Sequence, residues 1–180
     1  DALEEIAEKL TPALSEHANN ISLNEQLFAR VKAVYDKRES LQLTPEERRL
    51  LEKSYDSFVR NGANLSEEDK ATFRKLSMEL SSLTLKFSQN HLKETNGYEL
   101  VLHTEDELAG LPESAIEAAA HTAHEKGKEG CWVITLQAPS YVPFMKYSDK
   151  RELRKTLYMA YNTQCCHDNE FNNLKIVEQL

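Results

Sequence analysis

Apolar residues recur at three- and four-residue spacing through residues 1–96. Leu27, Phe28, Val31, Val34 and Tyr35 fall on one stripe, and Leu50, Leu51, Tyr55, Phe58 and Val59 on a second. Phe73, Leu76, Leu80, Leu83 and Phe87 form a third. Each stripe predicts a helix with one buried face and one wet face. Ser22 with Glu25, Thr44 with Glu47 and Ser66 with Asp69 set a hydroxyl three residues before an acid, the pattern of a capping box. Pro45 follows Thr44, and Thr11-Pro12 repeats that device, because proline's missing N–H costs nothing at a first helical position. The spacing predicts helices over 2–10, 12–19, 23–39, 45–60 and 67–95. The last would be roughly 40 Å long at 1.5 Å per residue. Asn61-Gly62 and Asn96-Gly97 are expected to end their helices, since both residue types tolerate the left-handed conformation. Segments 40–44 and 61–66 read as tight connections, which favour antiparallel neighbours.

The pattern changes after Gly97. Residues 98–102 alternate weakly, and Cys131 to Leu136 is β-branched and aromatic, so both read as strands. A helix is expected between them, from Pro112 to about Lys126. Residues 103–130 are too many for a tight hairpin, so parallel and antiparallel pairing both stand open. Pro139 and Pro143 flank a turn or short helix at 140–147. Ser148 is expected to cap a helix through Asn162, with Leu153, Leu157, Met159, Ala160 and Tyr161 inward. Asp168 is expected to cap a last helix on Leu174, Ile176, Val177 and Leu180, with no stop residue after it. The fold class is mainly α: an antiparallel helical bundle with one long spine helix and a small two-stranded β ribbon. The sub-regions read as 1–96 (bundle), 97–148 (ribbon with inserted helix) and 149–180 (helices continuing beyond the chain). Starting at Asp1 and stopping inside a helical pattern, the chain reads as one portion of a larger protein.

Composition narrows the function. Hydrophobic residues make up 40% of the 180 and charged residues 29%, enough for a core under solvated helix faces. Five Gly and five Pro are too few for a turn-rich all-β fold. A net charge of −8 argues against a nucleic-acid partner, which needs a basic face. No apolar run approaches 18 residues, so no transmembrane helix is expected. No signal peptide is visible, which for an excised segment says nothing about compartment; cytoplasm and periplasm both stay open. Three cysteines make no disulfide framework, and Cys131, Cys165 and Cys166 read as buried free thiols.

Candidate chemistry is sparse. A helical H-E-x-x-H places two imidazoles on one face and a general base beside them. Of the six histidines, only His124 is followed by Glu, and Lys128 stands where the second histidine must be. His121 and His124, with Glu117 and Glu125 nearby, could chelate a divalent ion. The favoured reading is a polar outer face, with Ala118, Ala119, Ala120 and Ala123 packed inward. In Cys165-Cys166-His167-Asp168 the adjacent side chains diverge, so no thiol is expected to have its base in reach. Asp168 is better explained as a cap, worth about 1 kcal/mol. The charge run Asp149, Lys150, Arg151, Glu152, Arg154 and Lys155 reads as a solvated helix face. Trp132 and Tyr141 read as core. No catalytic, cofactor-binding or metal-binding residue is assigned.

Several words follow one another in a specific order. They are Leu14-Ser15-Glu16-His17, Ile21-Ser22-Leu23-Asn24, Leu27-Phe28-Ala29-Arg30-Val31, Leu51-Glu52-Lys53 and Phe58-Val59-Arg60-Asn61-Gly62-Ala63-Asn64-Leu65. Then come Phe87-Ser88-Gln89-Asn90, Leu108-Ala109-Gly110-Leu111-Pro112 and Pro139-Ser140-Tyr141-Val142-Pro143-Phe144-Met145. Arg151-Glu152-Leu153-Arg154-Lys155, Ala160-Tyr161-Asn162-Thr163 and His167-Asp168-Asn169 complete the series. Over essentially its whole length the chain resembles the thimet-oligopeptidase-like zinc metallopeptidases. Tyr161 to Asn173 is most similar to the bacterial peptidyl-dipeptidase branch. Gln164 departs from that branch, where an Arg is expected.

The resemblance implies a mostly helical, two-lobed enzyme with a deep channel that admits short peptides and excludes folded proteins. The branch implies release of C-terminal dipeptides, with zinc as cofactor of the full-length enzyme and its ligands far downstream. Residues 1–180 are then its N-terminal segment: inactive alone, part of the channel wall, and partnered by the rest of the same chain. The alternative is a stand-alone helical module that binds proteins or peptides. A small helical metal-binding protein using His121 and His124 is a third reading. An exposed apolar surface is expected to cause weak self-association.

Overall fold

The computed structural model describes residues 2–180, and Asp1 lies outside the described residues. The chain divides into two compact units, 1–85 and 86–180. Its helices are α1 (Ala2–Ser22), α2 (Glu25–Tyr35), α3 (Pro45–Arg60), α4 (Glu67–Gly97), α5 (Glu113–Glu125), α6 (Ala138–Tyr147), α7 (Arg151–Asn162) and α8 (Leu174–Gln179). Two strands, β1 (Leu100–Leu102) and β2 (Trp132–Ile134), complete a mainly α fold. Helix α4 crosses the boundary, giving its residues up to Leu85 to the first unit and the rest to the second.

In the first unit, Phe28 of α2 stacks on Tyr55 of α3 at 5.7 Å and lies 5.8 Å from Phe58, while Tyr35 stacks on Tyr55 at 3.9 Å. Positions rising along α2 thus meet positions falling along α3, the antiparallel pairing that the short 40–44 connection favours. Thr44 caps α3 as expected: its hydroxyl accepts from Glu47 N at 3.2 Å, and the Glu47 carboxylate accepts from Thr44 N at 2.9 Å. Ser66 accepts from Asp69 N at 3.1 Å, but the Asp69 carboxylate takes the Ser66 hydroxyl rather than its backbone N–H.

Three boundaries in this unit differ from the sequence pattern. Helix α1 runs unbroken through Pro12 instead of restarting there. Proline removes one intrahelical bond, yet its φ is helical, and Ile6, Leu10, Leu14 and Ile21 keep one phase across it. The cap of α2 is Asn24, whose side chain accepts from Leu27 N at 2.8 Å, while Ser22 closes α1. Helix α2 stops at Tyr35 rather than near 39, where Asp36 ties back to Lys32 at 2.7 Å and the Arg38 guanidinium covers the Tyr35 ring at 4.2 Å. Gly62 does adopt φ +88° after α3, but Asn61 does not leave the right-handed side.

In the second unit, β1 and β2 pair antiparallel, Val101 opposite Val133. This settles the pairing left open by the sequence. Both strands are shorter than the pattern suggests, and Cys131 falls just before β2 rather than on it. Leu102, Leu108, Ala119, Ile134, Leu136, Phe144 and Leu157 form one buried cluster, with Trp132, Tyr141 and Leu153 packed against it. Both Pro139 and Pro143 lie within α6, not outside it. Gly97 closes α4 without a left-handed residue. Ser148 is buried and accepts from Lys150 N at 3.2 Å, so it shapes the turn before α7, whose cap position belongs to Lys150. Asp168 does not cap the last helix; Asn173 holds the position before its first turn without a side-chain cap, and of the expected apolar positions of α8 only Ile176 is buried.

The turn after β1 is fixed by Glu107. Its carboxylate accepts from His103 N at 2.8 Å, from Thr104 N at 2.9 Å and from the Thr104 hydroxyl at 3.1 Å. The two backbone N–H groups hold its carboxyl below the ordinary 4.5. A depressed folded value stabilises the fold above the unfolded value and loses that contribution as pH falls through the folded one. Glu107→Gln is therefore expected to lower the melting temperature at pH 7 and to show a smaller further drop below pH 4.5 than the parent chain. Parallel acid limbs in the two melting profiles would refute that assignment.

Candidate functional site

Helix α5 carries the two histidines that invite a metal. His121 and His124 are both exposed, with Glu125 Oε2 3.6 Å from His121 Nδ1. Only Ala119 and Ala123 of the four alanines pack into the core; Ala118 and Ala120 are exposed. Among the described residues no group of three or more His, Cys, Asp or Glu side chains could hold a metal ion. A catalytic zinc needs three protein ligands converging on one open position, and the residues present do not fit that group.

The cysteine cluster belongs to a structural knot. Cys165 is buried at φ +58°, and its N–H donates to the Glu94 carboxylate. Burial first, and the Glu94 carboxylate second, push its thiol up to about 12. A thiol so raised is not a nucleophile at neutral pH. Cys166 is exposed, contrary to the expectation of buried thiols, and Cys131 is half-buried with its Sγ 3.3 Å from His103 Nδ1. His167 Nε2 lies 3.1 Å from the Thr163 hydroxyl. Around them, Gln164 donates to Thr95 Oγ1 at 2.6 Å, and Asn90 donates to Asn173 Oδ1 at 2.8 Å. Asn173 in turn donates to the Phe87 carbonyl at 3.1 Å. This side-chain lattice ties segment 163–173 to the end of α4. Gln164, the departure from the expected Arg, serves that lattice as a neutral donor.

The charge run divides. Lys150 pairs with Asp106 at 2.6 Å, and Arg154 donates to the Ser148 carbonyl, so both help set the entry to α7. Arg151 and Lys155 are exposed on that helix. Tyr141 is half-buried against the core as expected and stacks on Tyr161 at 4.4 Å. Burial raises its phenol above the ordinary range.

Two concavities offer binding rather than chemistry. In the second unit, a cleft of about 450 Å³ has Leu111, Ala119, Ile134 and Phe144 as its floor and Thr122, Gln137 and Ser140 on its rim. Ser140 is held there by accepting from Thr135 N at 2.9 Å, and Gln137 by donating to Asn96 at 2.9 Å. In the first unit, Val31, Val34, Leu43, Leu50 and Leu51 line an apolar groove between α2 and α3. Neither brings a nucleophile within reach of a base. Sequence reasoning missed Glu94 and the cleft. Glu94 carries no local signal, because its partners lie far along the chain.

No family model matches the chain. It is 37% identical over 179 residues to a dipeptidyl carboxypeptidase of Escherichia coli, covering 99% of this chain and 26% of that protein. It is 34% identical over 182 residues to an oligopeptidase A of Haemophilus influenzae, covering 99% and 27% respectively. A dipeptidyl carboxypeptidase of Salmonella typhimurium is 34% identical over 180 residues, 100% of this chain and 26% of that protein. The chain thus spans about a quarter of the length of the relatives it matches.

Proposed function

We propose, from the premise that this chain belongs to the family of oligopeptidase A and dipeptidyl carboxypeptidase, that residues 1–180 are the non-catalytic N-terminal part of a zinc-dependent peptidase. The whole enzyme would act on short peptides and release dipeptides from their C-terminus. The zinc ligands and the catalytic base are assigned to polypeptide outside these residues, and this part supplies scaffold and a share of the wall that excludes folded substrates. The observation that carries the reading is identity above one-third to two peptidases along 99% of the chain. The exposed, unconverged histidines of α5 support placing the reaction elsewhere.

A second reading has one observation in its favour. The groove of Val31, Val34, Leu43, Leu50 and Leu51 has the apolar lining that receives an amphipathic partner helix. A stand-alone binding module would use it so. Assaying the 180-residue chain and the full-length enzyme, each with added zinc, on a short N-blocked peptide separates the two. The expected result is dipeptide release by the full-length enzyme and no turnover by residues 1–180. Zinc-dependent turnover by the short chain would overturn the assignment.

A further inference from the structure

The first unit buries few apolar side chains: among those of its described residues, Leu23, Phe28 and Ala63 alone are buried. Ile6, Leu10, Leu14 and Ile21 of α1 are exposed, Leu14 at 63%. At 100° per residue these four share one face of α1. Leu76 and Leu80 of α4 repeat the arrangement, at 59% and 53% exposed. Single exposed leucines are ordinary, but an ordered stripe running most of a helix is what a helix presents to a partner.

We propose that the α1 stripe Ile6–Leu10–Leu14–Ile21, together with Leu76 and Leu80, is an internal docking face covered by helices of the same polypeptide lying outside residues 1–180. This rests on the peptidase reading above, in which the chain is part of a longer enzyme. The relatives supply the occupant's source: each aligned relative is almost four times as long as the part matched here. Charge argues against the other occupants. The polar side of α1 carries Glu5, Glu8 and Glu16 with Lys9 as its cation. An anionic membrane surface attracts basic helices and repels this one. A second copy would bring the same acidic helices together in a chain whose net charge is already −8. A covalently tethered segment meets no such penalty in concentration, since linkage gives it an effective concentration in the millimolar range.

Hydrogen exchange followed by mass spectrometry, run on the 180-residue chain and on the full-length enzyme, tests the proposal. Amides of α1 are expected to exchange at least about tenfold more slowly in the full-length enzyme. Amides of β2 and α6 are expected to exchange alike in both. In the full-length enzyme, Leu10→Lys with Leu14→Lys should restore fast exchange to α1 and leave β2 and α6 unchanged. Equal α1 protection in both proteins would overturn the proposal. So would α1 protection in the full-length enzyme that grows with its concentration, since a second copy would then be the occupant. A full-length enzyme that cleaves peptides while its α1 stays unprotected defeats the docking face and leaves the functional reading standing. A full-length protein that protects α1 but cleaves nothing does the reverse.

Discussion

Phe144→Ala is expected to destabilise the second unit by about 3–5 kcal/mol. Phe144 is only 1% exposed and sits in one cluster with Leu102, Ala119, Ile134, Leu136 and Leu157. Removing the ring forfeits its transfer free energy and leaves a cavity. The surroundings can close on that cavity only by moving the β ribbon, α5 or α7. The cleft floored by Phe144 makes the loss worse, because water can enter where the ring stood. Trp132 is the single tryptophan of the chain and packs against the same cluster. Its fluorescence during urea unfolding therefore reports the second unit alone. Val142→Ala on the exposed side of α6 is the control and should change stability by less than about 0.5 kcal/mol. A loss at Phe144 no larger than that of the control would show that this cluster is not what holds the unit together.

How far the fold was legible depends on where its determinants lie along the chain. Thr44 and Glu47 are three residues apart, and the boundary they predict is the boundary observed. The aromatic contacts joining α2 to α3 follow from stripes visible in the sequence. The start of α8 after Asn173 was not legible, because Asn90 and Phe87, more than eighty residues away, hold the Asn173 side chain there. Asp168 has the local credentials for a cap, but the long-range pairing fixes the helix start further along the chain. The Pro12 boundary differs for the opposite reason: Thr11-Pro12 carries the local signal of a helix start, but the apolar phase of α1 does not change there. As for the site, the absence of a helical H-E-x-x-H was readable from spacing alone. The cleft beside α5 was not, since its lining brings together α5, β2, α6 and the end of α4, segments far apart along the chain.

Gly110→Ala is expected to lower stability by about 3 kcal/mol or more, and the other glycines make that expectation separable into causes. Gly110 has φ +85°, and a Cβ there would overlap the Tyr147 carbonyl oxygen and stand 2.9 Å from Asp149 Cγ. The neighbouring backbone cannot yield freely, because Asp149 N donates to the Ala109 carbonyl at 2.8 Å and so pins the α6–α7 junction against this turn. Gly127 has φ +69° with nothing within 4 Å of its would-be Cβ, so Gly127→Ala carries the backbone strain without the collision, about 1–2 kcal/mol. Gly97 ends a helix with neither burden, so Gly97→Ala is expected to be neutral or to stabilise by up to about 1 kcal/mol through the unfolded chain. The three variants, melted side by side, should fall in the order Gly97, Gly127, Gly110 of increasing loss. If Gly110→Ala lost no more than Gly127→Ala, the close approach of the 109–111 turn to Tyr147 and Asp149 would not be a feature of the folded protein.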